Sequence, residues 1–259
     1  MFRIGILAPS AFQAQFSLAS LRLELTRVFE PATLDSLTAQ DVDHANKLSD
    51  YQMIVLPGTA GENTPYPAFF SMENRFDKIR QYVVNGGVLW GICSGAWEMT
   101  DRFSYRFLSG EKKNFKGTIP LLDISASGPV DGAMVFSDDP TCLNDVRLLT
   151  LHFNDAEKQI KIPICYGNGP GFRICDVPAE NYTVLAKFNP KMAAIIAHRL
   201  GSGIVIAQSP LLEIRDEHIP PGKHHRHDFM KTMLAANRRH HDRLWMILRD
   251  VAVTRCLPS

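Results

Sequence analysis

The sequence predicts an α/β protein: a doubly wound, mostly parallel sheet, a β-rich second half and a C-terminal helix. Three observations predict it. Short apolar runs alternate with helix-spaced segments through the first hundred residues, the pattern of a parallel sheet with crossover helices. From about Leu121, apolar runs follow one another with little helix between them. A basic, amphipathic segment closes the chain.

Phe2–Leu7 is a short apolar run before Pro9 and reads as a buried first strand. Gln15–Phe29 carries Phe16, Leu18, Leu21, Leu23 and Val28 at helical spacing, and Pro31 closes it. Met53–Leu56 is a second buried strand, ended by Pro57-Gly58. Phe76–Val84 has apolar positions at Phe76, Ile79, Tyr82 and Val83, so it reads as a helix. Asn85-Gly86-Gly87 then supplies residues that tolerate the left-handed conformation of a helix C-terminus. Val88–Ile92 is the next buried strand. Later, "RLLTLHF", "IKIPICY", "YTVLAKF", "MAAIIAH" and "GIVIAQS" read as strands, and "HRLGSGIV" as a hairpin turn joining Met192–His198 to Ile204–Gln208. From His227 to Val253 the pattern is again helical, with Met230, Leu234, Leu244, Trp245, Leu248 and Val251 near one face. Between Lys223 and Asp250 there are seven Lys/Arg and three Asp, so this helix is basic. Residues 1–215 are expected to form one domain, and 216–259 a linker and helix packed on it.

The chain has 259 residues, enough for one large α/β domain whose core needs no disulfide or metal. Twenty-eight basic against 27 acidic residues leave the charge near neutral, which argues against a dedicated nucleic-acid binder. Five cysteines, an odd count with no CxxC pair, point to a reducing compartment rather than a disulfide framework or zinc site. "MFRIGILAPS" is too short for a signal sequence, and no later run reaches membrane-spanning length. The expectation is a cytoplasmic protein with neither membrane nor nucleic-acid partner. The histidines of "HHRH" sit in a Pro-Gly linker, so no metal is expected. Gly58 and "GNGPG" fit neither phosphate-loop pattern, so no nucleotide or other cofactor is expected. "EKKNFKG" at Glu111–Gly117 reads as an exposed loop positioned to overhang a pocket.

The candidate chemistry sits in "VLWGICSGAWEMT", Val88–Thr100, where a strand gives way to a helix at Cys93. A nucleophile at so sharp a turn needs small neighbours, which Gly91, Ser94 and Gly95 are. Its side chain stands above the carboxyl end of the sheet, where open α/β sheets bind ligands. The helix beginning at the sulfur favours the thiolate by ~0.3–1 kcal/mol, which lowers its pKa by less than about one unit. Efficient acyl transfer adds a base. The same residues also fit a small buried cysteine at a tight turn.

"IVLPGTAGENTPYP", "IRQYVVNGGVLWGICSGAW", "ISASGPV", "CYGNGPGF" and "GIVIAQSPLLE" occur in the order found in the class I glutamine amidotransferase-like superfamily. The chain resembles most its biotin–protein ligase N-terminal-domain-like branch, over roughly Phe2 to Glu213. The resemblance implies a flavodoxin-like sheet with Cys93 as the elbow nucleophile. It implies an oxyanion hole from backbone N–H groups near Gly58–Thr59 and at Ser94. It places Glu62, Asn63 and Tyr66 on a loop beside the pocket, and Tyr166, Asn168 and the glycines to Gly171 in its wall. In the superfamily a catalytic His precedes a Pro-Glu pair after the last core strand; this chain reads "AQSPLLE", with Glu213 in place and Leu211 at the His position. A leucine takes no proton, so the Cys-His-Glu relay is not present as written. His218, five residues beyond Glu213, is the substitute base of first choice.

Three readings follow. One is a cysteine hydrolase of an amide or related C–N bond of a small molecule. Another is a pocket protein that kept the elbow and lost the relay, binding a small molecule or partner or sensing through its thiol. The third, an α/β-hydrolase with Cys for Ser, needs a well-separated Asp and His, and Asp216 and His218 are too close together. No biotin-transfer domain or fused synthetase is recognisable. The exposed face of the C-terminal helix is the candidate surface for a homodimer.

Overall fold

Buried apolar segments form the centre of one mixed sheet, and the crossovers between them form its helices. The computed structural model describes residues 1–7, 15–44, 46–59, 64–72, 74–130, 132, 146–156, 158–178, 180–219 and 225–258. In chain order the first half holds β1 (Phe2–Leu7), α1 (Gln15–Val28), β2 (Ala32–Leu37), α2 (Ala39–Asp43), β3 (Met53–Leu56), α3 (Tyr66–Phe70), α4 (Arg75–Val84), β4 (Val88–Ile92) and α5 (Ser94–Glu98). Then come β5 (Thr100–Arg106), β6 (Lys112–Lys116), β7 (Leu122–Gly128), β8 (Arg147–Asp155), β9 (Lys158–Tyr166), β10 (Gly171–Arg173), β11 (Tyr182–Asn189), β12 (Met192–Leu200) and β13 (Gly203–Gln208). Two helices, α6 (His225–Ala236) and α7 (Arg238–Thr254), end the chain.

The strand order is β2-β1-β3-β4-β13-β12-β10-β7-β5-β6, with β11, β8 and β9 branching from β12. From β2 to β13 every pairing is parallel. β13 returns from β12 through the expected hairpin, its turn carrying Gly201 at φ 62°. Alternate residues of the central strands feed two cores. Ile4, Met53, Val88 and Trp90 pack with Leu21 and Leu25 of α1 and Leu244, Trp245 and Leu248 of α7. Ile54, Leu56, Leu89 and Val205 pack on the opposite face with Val42 of α2, Phe70 of α3 and Ile79 and Val83 of α4. Helices on both faces of a parallel centre make the fold flavodoxin-like and doubly wound.

Several expectations need correction. The C-terminal segment is two helices, not one: Asn237 leaves helical torsions, and its side-chain amide donates to Met233 O. Residues 112–116 are the edge strand β6, paired antiparallel with β5, rather than a loop. Its Lys112, Lys113 and Lys116 guard the sheet edge against a further strand. Among the described residues, no helix is long and apolar enough to cross a membrane.

Candidate functional site

β4 ends at Ile92 and α5 begins at Ser94, so the chain reverses its course at one residue. Cys93 takes φ 51° and ψ −105°, a sparsely populated conformation for a residue with a Cβ. Its backbone N–H donates to Gln208 O at 2.8 Å, which ties the bend to β13. The small neighbours are sterically required. A Cβ on Gly91 would stand 2.7 Å from Gly95 O, and one on Gly95 would stand 2.4 Å from Leu56 O.

Two turns close over the bend. After β3, Pro57–Thr59 lies against Cys93, and a Cβ on Gly58 would stand 3.3 Å from Cys93 Cβ. Tyr66, fully buried, buttresses this turn by donating from its hydroxyl to Pro57 O at 2.6 Å. After β9, Tyr166 pins the Gly167–Gly169 turn: its hydroxyl donates to Gly169 O and accepts from Val130 N, both at 2.6 Å. Asn168 has φ 62°, and its carbonyl accepts from Trp97 Nε1 at 3.0 Å. Gly169 can carry no side chain, because a Cβ there would lie 2.3 Å from Ser209 O.

The thiol is held as a thiol. Cys93 Sγ donates to Gly167 O at 3.1 Å. Burial, then the nearby Glu213, push it up to about 12, against a smaller opposing effect of the Ser94 backbone N–H at the sulfur. This reverses the expected lowering. α5 is a five-residue helix whose dipole is small, and desolvation of the thiolate outweighs it. The expected oxyanion donors are also engaged: Thr59 N donates to Ser94 Oγ at 2.9 Å, and Thr59 Oγ1 lies 3.0 Å from the same oxygen.

The relay is broken at one point. Leu211 belongs to the same buried apolar cluster as Cys93. Glu213 is fully buried; its Oε1 accepts from Ser17 Oγ at 2.6 Å, while Oε2 has no hydrogen-bond partner. Burial pushes this carboxyl up to about 7, with a further upward contribution from Glu24. His218 does not replace the missing base. Its Nδ1 lies 2.9 Å from Glu213 O and 3.3 Å from Arg215 N, and no histidine is among the groups acting on the thiol. The His218 ring gathers instead with Glu24 and Glu217, where the Glu24 carboxylate is already held by Arg27 at 2.6 Å and Arg215 at 3.2 Å. Glu62 and Asn63 lie outside the described residues.

A cavity of about 240 Å³ opens beside Cys93, lined also by Thr59, Ser94, Gly167 and Asn168. Its far wall was not anticipated from the sequence. Phe103 and Tyr105 of β5, Phe107 beyond it and Phe115 of β6 line the cavity with Trp97 of α5. Trp97 meets Phe103 at 4.9 Å and Tyr105 at 5.8 Å between ring centres, and Phe103 stacks on Phe115 at 5.2 Å. The signal was present: aromatic rings at every second residue of "FSYRF" put three rings on one face of a strand. Residues 111–117 do overhang the cavity, through Phe115 and Lys116.

The fold is shared with solved structures at low identity. A glutamine amidotransferase from Thermotoga maritima superposes with a TM-score of 0.57 at 12% identity, covering 97% of this chain and 98% of that one. A cytoplasmic protein from Salmonella typhimurium LT2 gives 0.47 at 16% identity, covering 98% and 99%. An exo-β-1,4-mannosidase from Opitutaceae bacterium strain TAV5 gives 0.45 at 11% identity, covering 96% of this chain; the chain spans only 36% of that enzyme. No curated protein matches the sequence. Residues 12–255 match the family described as biotin-protein ligase, N terminal; the chain belongs to that family, within the class I glutamine amidotransferase-like superfamily.

Proposed function

We propose that this chain is a small-molecule-binding protein on an amidotransferase-like scaffold, in which Cys93 keeps the form of a nucleophile elbow and not its hydrolytic work. One observation carries the reading: the thiol donates to Gly167 O and is pushed up to about 12, with Leu211 where a relay base would stand. A thiol in that state offers almost no thiolate at neutral pH, and the thiolate is the attacking species. Support also comes from Thr59 N, which already donates to Ser94 Oγ, and from the unmatched Oε2 of Glu213. The cavity, mostly apolar with a few convergent polar groups, has the character of a ligand site. The four described cysteines are free, in keeping with a cytoplasmic setting.

The test is ammonia release from glutamine and simple amides, with Cys93→Ser as control. No Cys93-dependent release is expected. A second reading, a cysteine amidase, is favoured by the φ of 51° at Cys93 and the Ser94 N–H at its sulfur. Release that disappears in Cys93→Ser would establish it and remove the first.

A further inference from the structure

We propose that the ligand of this cavity is a small aromatic compound bearing a protonated amine, its ring among the aromatic side chains and its ammonium on Glu98. The inference rests on the binding-protein reading and names the chemistry that the pocket selects.

Glu98 ends α5 and lines the cavity, yet the residue is only 1% exposed. Its Oε2 accepts from Thr118 N at 3.1 Å and Thr118 Oγ1 at 2.8 Å, which fixes the carboxyl in place. Its Oε1 has no hydrogen-bond partner among the described residues, and no cation pairs with the group. A buried acid is ordinarily paired, so this one has an unmet requirement that a donor entering the cavity would satisfy. Burial holds its carboxyl above the usual range, and a cation brought alongside would reverse that.

The walls select the same partner. Aromatic faces carry negative quadrupole charge, attract ammonium groups and disfavour anions. The cluster already receives one ammonium on its outer side, where Lys113 Nζ sits 5.4 Å from the centre of the Phe107 ring. Trp97, the strongest ring for such a contact, is adjacent to Glu98 and held by Asn168 O. Lys116 also lines the cavity, but it stands on the exposed edge strand where water screens its charge. Glu98 is desolvated, so its charge acts over a lower local dielectric and decides the sign of the ligand. A flat ring suits the remaining space, because offset and edge-on contacts are open to it against several of the five rings.

The test is isothermal titration of the full chain with three probes sharing one ring: tryptamine, indole and indole-3-acetate. Tryptamine is expected to bind at least tenfold tighter than indole, and indole-3-acetate weakest. Glu98→Gln keeps an acceptor for Thr118 and removes the charge, so it should erase the tryptamine advantage while leaving indole unchanged. Phe115→Ala, on the exposed edge strand, should weaken tryptamine and indole by a similar factor without threatening the fold. Indole-3-acetate binding as tightly as tryptamine, a tryptamine advantage that survives Glu98→Gln, or no binding by any probe would each overturn the ligand class. None of these results bears on hydrolysis, which the ammonia-release assay decides separately.

Discussion

Glu213 and Leu211 stand two residues apart, and each can be tested by one substitution. Glu213 is fully buried, with a folded pKa of about 7 against an ordinary 4.5. Because the folded value is raised, the unfolded chain gives up this proton first as pH rises. The stability of the protonated form is therefore full below about pH 4.5, falls through the window to about 7, and stays low above it. A gap of that size corresponds to about 3 kcal/mol at most. Glu213→Gln does not titrate and keeps an acceptor for Ser17. Its stability relative to the wild type, from urea unfolding at several pH values, should rise between pH 4.5 and 7 and then level off; a flat difference would refute the buried ionisation. Leu211→His tests the gap in the relay. An imidazole there would find Glu213 Oε2 unpartnered and would favour the thiolate. Alkylation of Cys93 by iodoacetamide, followed on its own peptide because Cys175 and Cys256 are exposed, should move down by roughly two pH units or more. An unchanged profile would mean that position 211 does not reach the sulfur. The sequence alone carried Cys93, Glu213 and the missing histidine. It did not carry the state of the thiol, because that depends on Gly167 O and on burial, both supplied by a strand seventy residues away.

At the scale of elements, the turn from β4 into α5 is a steric solution as much as a chemical one. Gly91 and Gly95 face each other across the bend, and Gly95 also abuts Leu56 at the end of β3. Gly95→Ala would place a Cβ 2.4 Å from a backbone oxygen that cannot rotate away. The helix must shift off the sheet, at a cost of about 1–3 kcal/mol. The measurement is the urea midpoint, and an unchanged midpoint would show that α5 is free to slide. Elements with continuous buried runs were legible: β1, β3 and β4 match their expected bounds, since a strand buried on both faces has little use for polar residues. β2 was not, because "ATLDSL" is a half-buried edge strand without such a run. β6 was missed for the same reason, its five residues being exposed and three of them lysine. The aromatic wall followed β6 out of view, although the alternation in β5 was there to read.

The whole molecule is held by a sheet whose two faces are closed by helices from opposite ends of the chain. On one face α1 comes from the beginning and α7 from the end, and both reach the same strands. Trp245 of α7 is fully buried, its ring centre 5.6 Å from that of Trp90 in β4, three residues before Cys93. Arg255, just past α7, donates from Nε to Gly86 O in the turn before the same strand. The last helix is thus packed on the strand that presents the site, and the two should melt in one transition rather than two. Trp245→Ala should cost about 3 kcal/mol, at the low end of the range for a buried aromatic ring, because its Nε1 is already buried without an acceptor and that penalty disappears with it. Trp245→Phe separates the two effects: it keeps much of the ring and removes the orphaned donor, so it should cost far less than the alanine variant. Far-ultraviolet and near-ultraviolet circular dichroism, followed together on heating, should give coincident curves for the wild type and both variants. Loss of helical signal ahead of the aromatic signal would mean that the C-terminal helices unfold on their own, and that the bend at Cys93 does not depend on them.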